Sequence, residues 1–262
     1  MSNFTRFAEL HVPGNPLVLF NVWDAGSAQA VAKAGAGAVA TGSASVAMAN
    51  GFGDGQEVPL EFALANSKRI AQAVDLPVTV DFEGAYSADP HEGARNIVRL
   101  ADTGAIGCNF EDQVVGGEGL HPIEVQAERI AAARAAVGPD FFINVRTDLF
   151  LKAPQDTHDE AMLAEAIARG RAYAEAGASG YFVPMLGNLD YLRRLCADVP
   201  VAVNFMIYPG CPSNAEVAAT GVARISHGPF PHMELMGRLE EMARTALARE
   251  NSVSQPVPEA IA

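Results

Sequence analysis

The sequence is short of several things that whole enzyme classes depend on. Lysine is scarce, with only Lys33, Lys68 and Lys152 in the chain. Two fall in helical patterns and one lies beyond the fifth predicted strand. None ends a strand as an imine-forming lysine would, which argues against Schiff-base chemistry. Cysteine is equally scarce, limited to Cys108, Cys196 and Cys211. Three thiols cannot form a disulfide framework and their spacing fits no zinc motif, so a reducing compartment, the cytoplasm, is expected. No apolar run approaches the ~20 residues of a membrane helix, and the N-terminal Met-Ser-Asn-Phe-Thr-Arg-Phe has no signal-peptide core. Positive charge is the minority: 18 Lys plus Arg against 31 Asp plus Glu leave a net charge of −13. That balance argues against nucleic acid and anionic membranes as partners. It leaves open an anionic small molecule bridged to the protein by a divalent cation. Sequence fingerprints are missing too. There is no Gly-x-Ser-x-Gly and no Walker sequence, and Asp24-Ala-Gly-Ser after the first strand has too few glycines for dinucleotide binding.

What is present is a soluble globular composition: 262 residues, 49% hydrophobic and 19% charged. A single domain is expected over 1–250, with a loose tail over 251–262 that carries two prolines. One phrase recurs along the chain, a helix-like run closed by Gly and followed by a short apolar strand. It occurs at Ala32–Gly35, Ala101–Gly104, Ala174–Gly177 and Ala218–Gly221. A Gly at that point caps the helix in a left-handed conformation and lets the chain turn back. The first two gaps between these glycines span two βα units each and the last spans one. Strands are predicted over 17–23, 37–42, 78–83, 107–111, 141–147, 180–185, 201–206 and 223–227. Helices are predicted over 26–34, 59–74, 90–103, 122–137, 158–176, 188–197, 213–220 and 231–248. Thr157 with Glu160 reads as a capping box opening the fifth helix. Eight βα units in about 250 residues predict an α/β protein of (β/α)8 TIM-barrel type; an open doubly wound sheet is the fallback.

Such barrels place their chemistry where the strands end. Strand ends and the loops beyond them carry Asn21-Val-Trp-Asp24, Thr41-Gly42-Ser43 with Asp54 beyond, Asp81-Phe-Glu83, Glu111-Asp112, Arg146-Thr-Asp148, Asn204 and Ser226-His227. Asp24 reads first as a helix N-cap. Asp54, Asp81, Glu83, Glu111 and Asp112 would crowd one rim and repel, and a hard cation such as Mg²⁺ is their natural partner. Two successive inward carboxylates, Asp81 and Glu83, rarely exist for packing alone. Arg146 suits a bidentate contact to a carboxylate or phosphoryl group, or an internal ion pair with Asp148 or Glu111. The Thr41-Gly42-Ser43-Ala44 stretch is either a small anion nest or a plain tight turn. His227 is either a ligand contact or a satisfied polar core residue.

These residues stand in blocks that resemble a known family. Asn21-Val-Trp-Asp-Ala-Gly-Ser-Ala, Thr41-Gly-Ser-Ala-Ser leading to Asp54, Val-Asp81-Phe-Glu83-Gly-Ala-Tyr86, Asn-Phe-Glu111-Asp-Gln, Asn-Val-Arg146-Thr-Asp and Ala-Tyr-Ala-Glu-Ala-Gly-Ala-Ser-Gly-Tyr-Phe-Val-Pro184 occur in order. Together they resemble the isocitrate lyase/phosphoenolpyruvate mutase superfamily over roughly residues 5–245. The resemblance implies a Mg²⁺-dependent barrel, with Mn²⁺ as a substitute. Asp81 would be the direct ligand, and Asp54, Glu83 and Glu111 would be ligands through water. It implies that Gly42, Ser43, Ala44, Asp81, Arg146 and Asn204 hold the substrate. It also implies a homo-oligomer, dimer or tetramer, whose eighth helix can swap between neighbours.

Departures from the family pattern narrow the chemistry. The usual Asp-x-Asp after strand three is Asp81-x-Glu83 here. The Lys-Arg-Cys-Gly-His loop of the C–C lyases is replaced by Gln113-Val-Val-Gly-Gly-Glu-Gly-Leu-His121, and Cys108 lies upstream, inside the strand. The implied activity is a lyase of a small 2-oxo or 2-hydroxy carboxylate, by oxaloacetate-type decarboxylation or retro-aldol cleavage through an enolate. Arg146 and Ser43 would stabilise charge, and water, Tyr86 or His227 would move the proton. Two alternatives are a P–C bond mutase or hydrolase of the phosphoenolpyruvate and phosphonopyruvate type, and a non-catalytic 2-oxo acid binder.

Overall fold

The computed structural model describes residues 1–248, so the tail expected over 251–262 lies outside the described residues. In chain order the elements are α1 (Asn3–Glu9), β1 (Leu17–Leu19), α2 (Ala25–Lys33), β2 (Val39–Ala40), α3 (Ser43–Ala49), α4 (Leu60–Ala73), β3 (Val78–Asp81), α5 (Pro90–Ala101), β4 (Gly107–Glu111) and α6 (Ile123–Val137). They continue as β5 (Phe142–Arg146), α7 (Glu160–Glu175), β6 (Gly180–Phe182), α8 (Leu189–Asp198), β7 (Ala202–Met206), α9 (Asn214–Ala218), β8 (Arg224–Ser226) and α10 (Phe230–Leu247). All eight strands run parallel in the order β1-β8-β7-β6-β5-β4-β3-β2. A parallel bridge between Val22 and Thr41 joins the two edges, with Val22 N donating to Ala40 O and Gly42 N to Val22 O. The expected (β/α)8 barrel is the fold.

The repeat has the physical basis the sequence predicts. Gly35, Gly104, Gly177 and Gly221 all sit at positive φ, between +94° and +105°. That left-handed region costs a side chain but not a glycine, so each helix can stop and reverse. Asp24 caps α2, accepting from Ser27 N while Ser27 Oγ accepts from Asp24 N. The α7 cap differs from expectation. Asp159, not Thr157, accepts from Met162 N, and Thr157 ends a single 3₁₀ turn (Gln155–Thr157) before it. Asp159, two residues further along, starts the helix later and caps the N–H three residues beyond itself instead.

Strand alternation sorts the side chains. Odd positions of β1 turn Leu17 and Leu19 inward, where they pack with Phe7 of α1, Ala38, Ala40 and Phe142 to plug the barrel floor. His11 stacks on Phe142 and meets Phe7 edge-on in the same plug. Even positions Val18 and Phe20 face outward and remain 45% and 47% exposed. Beyond the buried Pro231 and His232, α10 leaves the barrel, and Met233, Leu235, Leu239 and Met242 along it are exposed.

Alternation also removes one residue from the expected acid rim. Glu111 points into the barrel, so its neighbour Asp112 points out, fully buried between the strands and α7. There it accepts from Asp148 N (3.0 Å), Arg169 Nη1 (3.1 Å) and Tyr173 Oη (2.9 Å). Asp112 therefore ties α7 to β4 and β5. Removing one partner of a buried ion pair leaves the other charge stranded. Asp112→Ala is expected to lower unfolding free energy by about 3 kcal/mol, read from urea titration.

Candidate active site

The C-terminal mouth of the barrel holds a cavity of about 170 Å³. Gly42, Ser43, Ala44, Asp54, Asp81 and Arg146 line it, as expected, together with Asn21, Asn109, Phe182, Pro184, Met206 and Ser226. Ser43 opens α3, and both its N–H (3.2 Å) and its hydroxyl (3.1 Å) donate to Asp81 Oδ2. Thr41 Oγ1 accepts from Asp81 N at 2.9 Å. The Thr41–Ala44 turn therefore serves Asp81 with two donors rather than standing as a free anion nest. Asp81 Oδ1 is buried with no protein partner.

The backbone fixes the neighbouring carboxylate of Glu83. Glu83, Ala85 and Tyr86 all adopt positive φ in the turn after β3, a strained arrangement for side chains with a Cβ. That turn aims Glu83 Oε2 at Gln56 N, 2.7 Å away, and Gln56 is itself at positive φ. Burial pushes Glu83 up to about 8, and the charges of Asp81 and Asp54 add to the shift. Crowding at the rim raises Asp54 as well, burial first and then the charge of Asp81. Burial raises Glu111 well above the ordinary carboxylate range against the pull of Arg146.

Arg146 answers both expectations at once. Its Nη1 lies 3.1 Å from Glu111 Oε2, its Nη2 donates to Asp148 Oδ2 at 3.0 Å, and its Nε donates to Asp148 Oδ1. Burial alone would lower its affinity for the proton; Glu111 and Asp148 more than offset that and hold it charged. A guanidinium offers more N–H donors than these contacts use, and Arg146 also lines the cavity.

Five expected residues do not line the cavity: Glu83 and Glu111 lie buried beside it, held by Gln56 N and Arg146, and three more stand elsewhere. The His227 ring binds Leu19 O at 3.1 Å and packs on Phe20, outside the mouth, because β8 alternation gives the inward places to Arg224 and Ser226. Tyr86 packs on Phe82 behind the acids, and burial beside Glu83 and Asp81 pushes its phenol further up. Asn204 is 1% exposed and turned into the sheet, with Nδ2 donating to Phe205 O at 2.7 Å. Conversely, Asn109, which the strand-end reading passed over, lines the cavity together with Asn21 of the β1 end. Asn21 Oδ1 accepts from His227 N and Gly228 N, both at 2.9 Å, and pins β8's exit to β1. Asn109 was legible as the residue two before Glu111, on the same inward face.

Among the described residues no group of three His, Cys, Asp or Glu side chains closes on a common point. The oxygen donors nonetheless fit a hard cation: one orphaned carboxylate oxygen on Asp81, with Asp54, Glu83 and Glu111 close enough to raise one another. Mg²⁺ keeps several waters and commonly takes one or two carboxylates directly, which suits that arrangement.

A family model described as phosphoenolpyruvate phosphomutase matches residues 7–247. The chain is 48% identical to a protein of Burkholderia cenocepacia J2315 provisionally named a phosphonomutase, whose crystal structure superposes with a TM-score of 0.90 over 93% of this chain and 98% of that one. It is 28% identical over 205 residues to the 2-methylisocitrate lyase of Salmonella typhimurium, across 74% of this chain and 66% of the relative. At 20% identity, a phosphonopyruvate hydrolase solved with oxalate and Mg²⁺ shares the fold, with a TM-score of 0.85 over 100% of this chain and 94% of that one.

The raised Glu83 has a measurable consequence. A carboxyl that binds its proton more tightly when folded stabilises the fold below its unfolded pKa and loses that contribution as pH rises through the folded value. Without divalent cations, the melting temperature is expected to fall as pH rises from 4.5 to about 8. Glu83→Gln should flatten that slope and raise the melting temperature at the alkaline end, measured by differential scanning fluorimetry.

Proposed function

The chain belongs to the phosphoenolpyruvate phosphomutase family, and within it we propose a Mg²⁺-dependent lyase of a small 2-oxo or 2-hydroxy carboxylate. Asp81 carries this reading: one oxygen is fixed by Ser43 and the other is buried and unpartnered at the mouth. Asp81, Asp54, Glu83 and Glu111 would hold the ion, and Mn²⁺ would suit the same oxygens. When bound, the ion supplies Lewis-acid polarisation of the oxo acid. The relative solved with oxalate and Mg²⁺ supports that assignment.

The chain's own groups supply the rest. Arg146 is pre-oriented by Glu111 and Asp148 and takes the substrate carboxylate with its spare N–H groups. Ser43 keeps Asp81 from rotating. Phe182, Pro184, Met206 and Leu151 give the cavity an apolar wall that keeps bulk water from the developing charge. Oxaloacetate-type decarboxylation fits this wall best. The C–C electron pair moves into the oxo group, CO₂ leaves unprotonated, and the enolate takes its proton from water. No acid is needed on the leaving group, and neither Tyr86 nor His227 lines the cavity to provide one. Cys108, fully buried with its thiol pushed up by burial, is likewise no acid.

Purified protein with Mg²⁺ should decarboxylate oxaloacetate at least about a hundred-fold faster than Mg²⁺ alone, and Asp81→Ala should fall back to the free-ion rate. If wild type, variant and free ion all match, decarboxylation is wrong. The phosphonomutase name of the 48% identical relative favours a second reading, P–C bond chemistry on phosphonopyruvate. Phosphorus NMR separates the two, because only the second changes the phosphorus resonance of phosphonopyruvate or phosphoenolpyruvate.

The bare apolar side chains of α10 and of β1's outer face support a homo-oligomer in which α10 docks on a neighbouring barrel. A groove of about 640 Å³ between α2, Phe20 and α10 is the corresponding seat. Light scattering should give two or four times the chain mass, and Leu239→Glu with Met242→Glu should give the monomer. A wild-type monomer would overturn this assembly.

A further inference from the structure

Inside the barrel, one layer below the mouth, lies a group that packing does not explain. Arg224 of β8 is 1% exposed. Its one side-chain hydrogen bond runs from Nη2 to Asn109 Oδ1 at 3.3 Å, and Nε and Nη1 have no protein partner. Among the described residues no carboxylate forms an ion pair with it. Beneath it, His11 is held uncharged, pushed down to about 3 by burial and by Arg224 itself. A buried charge without a partner is strongly unfavourable, and an apolar side chain of similar length would stabilise the barrel more. Groups that break packing rules in this way point to function.

What Arg224 does is legible in the hydrogen bonds around it. Asn204 Nδ2 donates to the backbone carbonyls of Phe205 and Arg224, so its Oδ1 must accept, and Asn144 Nδ2 donates to it at 3.1 Å. The same Asn144 Nδ2 donates to Asn109 Oδ1 at 2.8 Å. Gly180 makes room for this, since a Cβ there would lie 2.6 Å from Asn144 Oδ1. Asn109 Oδ1 thus receives two donors, one of them from a guanidinium that can only donate. The orientation of the Asn109 amide follows: its oxygen faces down into the layer, and among the described residues its N–H₂ has no protein acceptor. Asn109 lines the mouth cavity beside Asp81 and Ser226.

We propose that Asn109 is a ligand-binding residue whose amide N–H donates to an oxygen of the bound 2-oxo carboxylate from the cavity floor, and that Arg224 is the positioning residue that holds it there. This rests on the 2-oxo acid reading of the site. Arg224 acts twice, by fixing the amide and by placing a positive charge under a cavity ringed with carboxylates. An anionic ligand gains from both.

The test is oxalate binding in the presence of Mg²⁺, by isothermal titration of the intact protein. Wild type binds; Asn109→Ala and Arg224→Met each weaken binding by about ten-fold or more. The double variant is weaker than either single by less than the product of the two losses, because the effects share one amide. Arg224→Met melts at or above the wild-type temperature, which a merely structural arginine would not allow. Unchanged affinity in Asn109→Ala or Arg224→Met overturns the proposal. A melting temperature that falls together with affinity in Arg224→Met overturns the positioning role. If Arg224→Met does not fold, Asn109→Asp carries the test: it keeps the shape and replaces the N–H by an acceptor, and wild-type affinity in that variant overturns the proposal. Wild type that binds no oxalate overturns the 2-oxo acid reading itself, a result distinct from wild type and variants binding alike.

Discussion

Repulsion among carboxylates at the barrel mouth is the constraint on which the rest of the site depends. Asp54, Asp81, Glu83 and Glu111 come from three consecutive βα loops, and each of the last two is pushed up by burial and by its acidic neighbours. Such a ring would not stay ordered on flexible loops. It is held by short, local bonds instead: Ser43 on Asp81, the Gln56 backbone on Glu83, Arg146 on Glu111. Each restraint begins or ends at a strand terminus, where the barrel's parallel ladder already fixes the backbone. The positive-φ turn from Glu83 to Tyr86 is the strain that accompanies this placement.

The fold was legible because its signals are local. Four glycines with positive φ mark four helix ends, and each is followed by a buried apolar strand. What escaped were elements that belong to no βα unit. The seven-residue α1 buries only Phe7, and α3 is a seven-residue helix inside a loop. Neither is long enough to show a helical period. The bare face of α10 was equally unreadable from its own pattern, because a helix that covers this barrel and one that leaves it carry the same apolar residues.

The site was legible at strand ends and opaque one layer down. Asp81, Glu111 and Arg146 close β3, β4 and β5; Asp81 and Arg146 line the mouth cavity, and Glu111 stands behind it on Arg146. Asp112 fails the same rule for a simple reason: adjacent strand residues point to opposite sides, so Glu111 and Asp112 cannot share a rim. The same period finds what was missed. Two residues before Glu111, Arg146, Met206 and Ser226 stand Asn109, Asn144, Asn204 and Arg224. A polar residue repeated at the inward position of four strands is a buried layer, and Asn204 belongs to it rather than to the cavity.

Under the proposed reading, layering also bears on how an acidic protein would hold an acidic ligand. The chain carries −13 overall, yet its interior cations are placed where screening is weakest. Arg146 stands at the mouth, paired to two acids, and Arg224 stands beneath it with none. Phe7 of α1, His11 beyond it and Phe142 of β5 close the barrel below them, His11 stacked on Phe142 and Phe7 edge-on to both. In that low-dielectric shaft a charge acts over a longer reach than at the surface. The sign felt by a small carboxylate would be set less by the surface charge than by the few groups that share its cavity. The mouth carries Asp54, Asp81, Glu83 and Glu111 against Arg146, so a bound cation, with Arg146 and the unpaired Arg224 beneath it, would be what turns the local sign toward a carboxylate.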